Sequence, residues 1–238
     1  MGDNAHGGYP EDTPRRKGWI IDMSQNTEEE KKIVSKVDHT LLRTTATLQE
    51  IQSLCDAAVE AGTASVCIPP CYVSDAVQYL NGRLPVCTVI GFPNGYSTTA
   101  SKVFEAKEAI RLGAKEIDMV INLCDVKNGN YDRVYLELMA MREACEGVIL
   151  KVIIETCQLR EEEKIKMCEL VSKAKADFIK TSTGFSTGGA TVEDVRLLRQ
   201  YSAPEVKVKA AGGIKDFADA KAMIEAGADR LGTSRLVK

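Results

Sequence analysis

A single-domain (β/α)8 barrel is the fold class predicted by three observations: eight short β-branched runs, seven helical stretches lying between them, and a length of 238 residues, near the roughly 250 typical of such barrels. The strand candidates are VDHTLL, ASVCI, VCTVIGF, EIDMVIN, VILKVIIET, DFIKTS, VKVKAAGG and RLGTS. The helix candidates between them run from TLQEIQSLCDAAVEAG to DFADAKAMIEAG, and many stop at a glycine, as a helix does before turning into a strand. Regular alternation implies parallel pairing, and eight strands are enough to close. Alternation by itself also fits an open doubly wound sheet.

Residues 1–22 are rich in glycine, proline and charge with no apolar period, and are expected to form a tail outside a barrel domain spanning 23–238. TEEEKKIVSKV then reads as a capped helix leading into the first strand. The sequence ends at Lys238 just after the eighth strand, so the eighth helix is expected to be short or absent, with the helix before VDHTLL covering part of the gap.

Lysine plus arginine (31) nearly balances aspartate plus glutamate (34), which gives no general field for nucleic acid and points to a small-molecule partner. Eight cysteines without a CxxC pair, and no secretory signal, predict a cytosolic chain with reduced thiols. The two histidines are not spaced as ligands, so neither a metal nor another cofactor is expected. No apolar run approaches the roughly 20 residues that span a bilayer, so no membrane partner is expected.

Barrel strands alternate between the interior and the helix layer, and the helix-facing set must be apolar. In VKVKAAGG this sends Val206, Val208 and Ala210 outward and turns Lys207 and Lys209 inward; in EIDMVIN it leaves Asp118 inward. The same parity directs Asp38, Thr40, Cys67, Lys151, Glu155 and Lys180 to the interior. Inward lysines cost much unless paired or discharged. For Lys151 and Lys207 the expected explanation is pairing with Glu155, Glu116 or Asp118. Lys180 and Lys209 lie near the C-terminal ends of strands six and seven, where barrel active sites are built, so a chemical role is expected there. One ammonium beside another disfavours protonation, which frees a lone pair for attack on a carbonyl, with Asp118 moving protons. Three small-residue stretches, Ser182-Thr183-Gly184, Gly212-Gly213 and Gly232-Thr233-Ser234, follow the last three strands and suggest a phosphate cradle.

With these pieces in order, the sequence resembles the DeoC family of class I aldolases from about Val37 to Ser234. The resemblance rests mainly on DFIKTSTGFSTGGAT and VKVKAAGGI, supported by VDHTLL, SVCIPP, VIGFPNG, EIDMVIN, LKVIIET and LGTS. It implies a metal-independent TIM barrel that reversibly cleaves 2-deoxy-D-ribose 5-phosphate to acetaldehyde and D-glyceraldehyde 3-phosphate, with a homodimer as the expected assembly. By position it implies Lys180 as the Schiff-base lysine, with Lys209 and Asp118 as its catalytic partners. It further implies Thr40 and Cys67 in the substrate pocket, and Gly184, Gly212, Gly213 and Ser234 around the phosphate. Two departures stand out: Phe185 replaces a lysine that some members carry after KTSTG, and the sequence ends in RLVK rather than in a tyrosine. Backbone amides, Ser234 or Arg235 are expected to do more of the phosphate holding in its place, with either Arg235 restoring the charge or the backbone amides sufficing while Arg235 faces solvent. The competing readings are a Schiff-base aldolase with a ketone donor or larger sugar, and a phosphosugar-binding barrel that has lost catalysis.

Overall fold

A computed structural model describes residues 27–237; the expected 1–22 tail lies outside them. The eight strands are β1 Val37–Thr40, β2 Ser65–Ile68, β3 Val86–Ile90, β4 Glu116–Val120, β5 Ile149–Ile153, β6 Phe178–Lys180, β7 Lys207–Ala211 and β8 Arg230–Thr233. All neighbours are parallel, and β8 pairs back with β1 through Val37↔Leu231 and His39↔Thr233, so the sheet is a closed barrel rather than an open one.

The helices are α1 Glu28–Val34, α2 Leu48–Ala61, α3 Val73–Leu80, α4 Thr99–Arg111, α5 Leu123–Lys127, α6 Tyr131–Ala144, α7 Glu161–Lys173, α8 Val192–Tyr201 and α9 Phe217–Glu225. Thr27 and Thr47 open α1 and α2 with capping boxes to Glu30 and Glu50, satisfying backbone donors that a helix start leaves free. Among the described residues no helix follows β8. Instead α1 packs beside α9, where Glu29 and Lys221 pair at 2.7 Å, so the first of the described helices shares the cover of the last strand. The one-turn α5 has no counterpart among the expected helices, being too short for periodicity to register. None of the described helices is long and apolar enough to cross a membrane.

The apolar core lies between sheet and helices. Ile117, Met119, Ile121, Val208 and Ala210 face out from the strands and join Ile51, Leu138, Met141 and Met167 in one cluster. This leaves the barrel interior to charged side chains.

Two buried polar features outside that interior give measurable consequences. Lys102 of α4 is fully buried and donates at 2.8 Å to both Glu137 of α6 and the Val120 carbonyl, while Glu137 also accepts from the Asn122 amide at 3.1 Å. Burial lowers the Lys102 pKa and raises that of Glu137, each opposed by the partner's charge. Removing one partner strands the other, so Lys102→Met is expected to cost about 3–5 kcal/mol in urea unfolding. Lys102→Met with Glu137→Leu is expected to recover much of that loss.

His39 is 5% exposed, and burial lowers its pKa to about 4, against an opposing hydrogen bond to the Thr233 backbone. The folded state therefore keeps it neutral where the unfolded chain takes a proton. Its contribution is complete above pH ~6.5 and is lost as pH falls from there to about 4. The loss is on the order of 3 kcal/mol. Urea midpoints measured across that window should fall less steeply in His39→Gln; an unchanged slope would contradict the assignment.

Candidate active site

The interior charges form one connected cluster. Asp118, on β4, contacts Lys151 at 2.9 Å through one carboxylate oxygen, and Lys180 at 2.7 Å and Lys209 at 2.6 Å through the other. Asp38, on β1, contacts Lys209 at 2.5 Å and Arg230 at 2.6 Å, and accepts from the Ser65 hydroxyl at 2.7 Å. Glu116 contacts Lys151 at 2.5 Å and lies 3.5 Å from Arg230. Some of these contacts, such as those at Asp38 Oδ2 and Glu116 Oε2, bring charges together without a well-angled hydrogen bond.

Strand register produces this grouping. Lys180, Lys209 and Arg230 are successive partners across β6, β7 and β8, and Asp118 pairs with Lys151 across β4 and β5. Gly232 leaves room for it: a Cβ there would sit 3.2 Å from the Lys209 side chain and 2.9 Å from that of Ala211. Burial disfavours the charged form of Asp118, yet the three lysines hold its carboxyl well below the usual range. Burial likewise opposes the charges of Lys151 and Lys209, but the surrounding carboxylates raise both above the ordinary lysine range. Asp38 is lowered in the same way, by Lys209, Lys151 and Arg230 acting against burial.

Lys207 does not belong to this cluster. It is exposed and lies over the Phe178 ring at 5.7 Å, rather than pairing with Glu155, Glu116 or Asp118 as expected. It shares a face with Lys209 but sits two residues, about 6.6 Å, lower along the strand, where the barrel meets water. Glu155 is buried, as its parity required, but pairs with no lysine. Held at φ 54°, it accepts from the Thr183 amide at 3.2 Å and from the Thr183 hydroxyl, tying the loop after β5 to the loop after β6.

Above the cluster lies a cavity of about 420 Å3, at the C-terminal end of the strands. Of the buried lysines only Lys180 reaches its wall; Asp118 and Lys209 stand behind it. Thr40, Gly184, Gly212, Gly213 and Ser234 all line it, together with three cations, Arg43, Lys215 and Arg235. Gly212 and Gly213 adopt φ of 80° and 82°, left-handed backbone that a side chain would strain. Cys67 is buried and does not line the cavity. Its sulfur lies within 4.8 Å of the Cys87 sulfur and the Asp118 carboxylate. That trio has metal-ligand composition, but Lys151 and Lys180 already contact the two Asp118 oxygens a cation would need.

The family model described as DeoC/LacD family aldolase matches residues 32–236. The chain belongs to the DeoC/LacD aldolases. It is 56% identical over 208 residues to a deoxyribose-phosphate aldolase of Clostridioides difficile (strain 630), covering 87% of this chain and 95% of that one. It is 60% identical over 210 residues to one of Streptococcus pyogenes serotype M28, covering 88% and 94%. Among solved structures, the tetrameric deoxyribose phosphate aldolase of Aeropyrum pernix superposes with a TM-score of 0.82 at 30% identity, covering 87% of this chain and 88% of that one. This aldolase thus has the barrel that its charge patterning and motifs implied.

Strand parity places Asp38 inside but gives it no role, and patterning alone misses Arg230, Cys87, Arg43 and Lys215. Arg230 opens its strand, where a charge reads as part of the preceding turn. Arg43 and Lys215 stand in loops, where alternation assigns no face.

Proposed function

We propose that this aldolase reversibly cleaves 2-deoxy-D-ribose 5-phosphate to D-glyceraldehyde 3-phosphate and acetaldehyde through an imine on Lys180. The observation that carries the reading is the position of Lys180: it lines the cavity and has one carboxylate partner, Asp118, which it shares. The interior cluster holds three lysines and Arg230 against Asp38, Glu116 and Asp118, one cation in excess. Of these four cations Lys180 has the fewest carboxylate contacts, and it is the one that lines the cavity.

Neutral Lys180 attacks C1 of the open-chain sugar, and loss of water gives the iminium. A base takes the C3 hydroxyl proton, the C2–C3 bond breaks, and its electron pair moves into the iminium to form an enamine. Glyceraldehyde 3-phosphate leaves; the enamine is protonated at carbon, and water hydrolyses the resulting imine to acetaldehyde and free lysine. Asp118 and Lys209, both in contact behind Lys180, are the proton carriers in this scheme, acting through water. Reduction with borohydride in the presence of acetaldehyde is expected to leave one ethyl group on the peptide containing Lys180. Label on Lys151, Lys207 or Lys209 instead would overturn the scheme.

The phosphate is assigned to the loops carrying Gly184, Gly212, Gly213 and Ser234. Arg235 supplies the cation that Phe185 does not, with Lys215 and Arg43 on the same wall. Arg235→Ala is expected to weaken kcat/KM for the phosphorylated sugar by ~1.5–3 kcal/mol while leaving unphosphorylated deoxyribose almost unaffected. An equal effect on both substrates, or on neither, would remove Arg235 from the phosphate site. The eight free cysteines suit a reducing cytosol, and a homodimer is the proposed assembly, to be read by sedimentation.

A further inference from the structure

The end of β5 falls out of step with β6. The Ile154 amide donates to the Lys180 carbonyl at 3.0 Å, but the Thr156 amide, two residues on, donates at 2.8 Å to the carbonyl of Thr181, one residue on. Glu155 is therefore a surplus residue, a bulge, and takes left-handed backbone at φ 54° and ψ 66°. That region is unfavourable for any residue with a Cβ. The bulge turns the buried carboxylate onto the loop after β6, where it accepts from the Thr183 amide at 3.2 Å and from the Thr183 hydroxyl.

A carboxylate only accepts, so the Thr183 hydroxyl gives its proton to Glu155 and keeps its lone pairs for a donor. That donor is the Phe185 amide, at 3.1 Å. Gly184 stands between these two anchors at φ 84°. Its Cα would lie 3.4 Å from a Cβ on Gly212, and a Cβ on Gly189 would come within 2.4 Å of the Gly212 carbonyl oxygen. The same carbonyl accepts from the Ala190 amide at 3.0 Å. The loop after β6 is thus fixed at one end by Glu155 and at the other by the loop after β7, with Gly184 set against Gly212. Among the described residues the Gly184 and Gly213 amides donate to no backbone carbonyl, which suits both to an anion.

We propose that Glu155 is a positioning residue that sets the enzyme's selectivity for a phosphorylated sugar over an unphosphorylated one. Glu155 does not line the cavity, whereas Thr183, Gly184 and Phe185 do, so it acts through Thr183 by holding the Gly184 amide where phosphate binds. The inference rests on the reading that assigns phosphate to Gly184, Gly212 and Gly213. The Glu155 carboxylate is spent on Thr183 rather than on Lys180, so imine chemistry should not depend on it.

The test compares native enzyme, Glu155→Gln and Glu155→Gly on deoxyribose 5-phosphate and on unphosphorylated deoxyribose, with inorganic phosphate as a competitive inhibitor. Glycine removes the carboxylate and suits the left-handed backbone, so that variant should fold; glutamine keeps one acceptor oxygen for the two Thr183 donors. The KM for the phosphorylated sugar and the inhibition constant of inorganic phosphate are expected to rise together, about tenfold in Glu155→Gly and about threefold in Glu155→Gln. Over the same variants, kcat for the phosphorylated sugar and kcat/KM for the unphosphorylated one should stay within about twofold. An equal loss on both sugars would mark a general structural role and overturn the proposal. An unchanged KM in either folded variant overturns it too, as does a raised KM without a raised inhibition constant for phosphate. Native enzyme that handles both sugars alike and ignores inorganic phosphate would overturn the phosphate reading itself, whereas native selectivity that both variants retain removes only the role of Glu155.

Discussion

Lys180→Leu is expected to reduce deoxyribose 5-phosphate cleavage by on the order of 10^4- to 10^6-fold, the scale seen when a covalent nucleophile is deleted. Nothing else in the cavity wall offers the same chemistry. Lys215 lines the cavity from a loop and makes no contact with Asp118, while Lys151 and Lys209 lie behind the wall with carboxylates on more than one side. The substitution also removes the cluster's surplus cation, so the fold should tolerate it: the remaining Lys151, Lys209 and Arg230 balance Asp38, Glu116 and Asp118. The decisive pattern is lost turnover and lost borohydride-trapped label with a nearly unchanged urea midpoint. Turnover within tenfold of the native enzyme would end the Lys180 assignment.

Asp118→Asn is expected to damage both activity and stability. Its carboxylate is the common contact of the three lysines inside the barrel, and the amide leaves their charges opposed only by Asp38 and Glu116. Loss of a buried partner of this kind costs about 3–5 kcal/mol. Loss of a positioned proton carrier costs about 10^2- to 10^4-fold in kcat. The acid side follows from the same charge. Because the folded-state pKa of Asp118 is depressed, its stabilisation is complete above the unfolded carboxylate value of about 4 and drains away only as pH falls further. Native protein should therefore lose stability below pH ~4 more steeply than Asp118→Asn does. Equal acid limbs in the two proteins would show that the carboxylate is not held in the way these contacts imply.

How much of the fold and the site is legible in the sequence depends on which physical rule each residue obeys. Helix-facing positions on the strands must be apolar, and that one constraint is enough to turn Asp118, Lys151, Lys180 and Lys209 inward. It fixes a face and not a height. Lys207 obeys the same parity as Lys209 and still ends in solvent, because two residues of rise carry it to the barrel's rim. Closure is equally hidden: it depends on β8 meeting β1, a pairing between residues nearly the whole chain apart. Parity reads Glu155 correctly as buried, but its partner is a threonine in the loop after the next strand, which no local pattern announces. A second space of about 630 Å3 is lined from the loops after β1, β2, β3 and β6 and from α4, and no single segment carries its signature.

At the foot of the barrel, the buried Phe178 ring lies under the Arg230 guanidinium at 5.5 Å and the Lys207 ammonium at 5.7 Å. That stack works as a stopper with a wet, charged cap, and it leaves traffic to the other end. Sugar must arrive, and both fragments must depart, through a single doorway. Under the Lys180 imine proposed above, the tethered fragment is then the last to leave by that doorway.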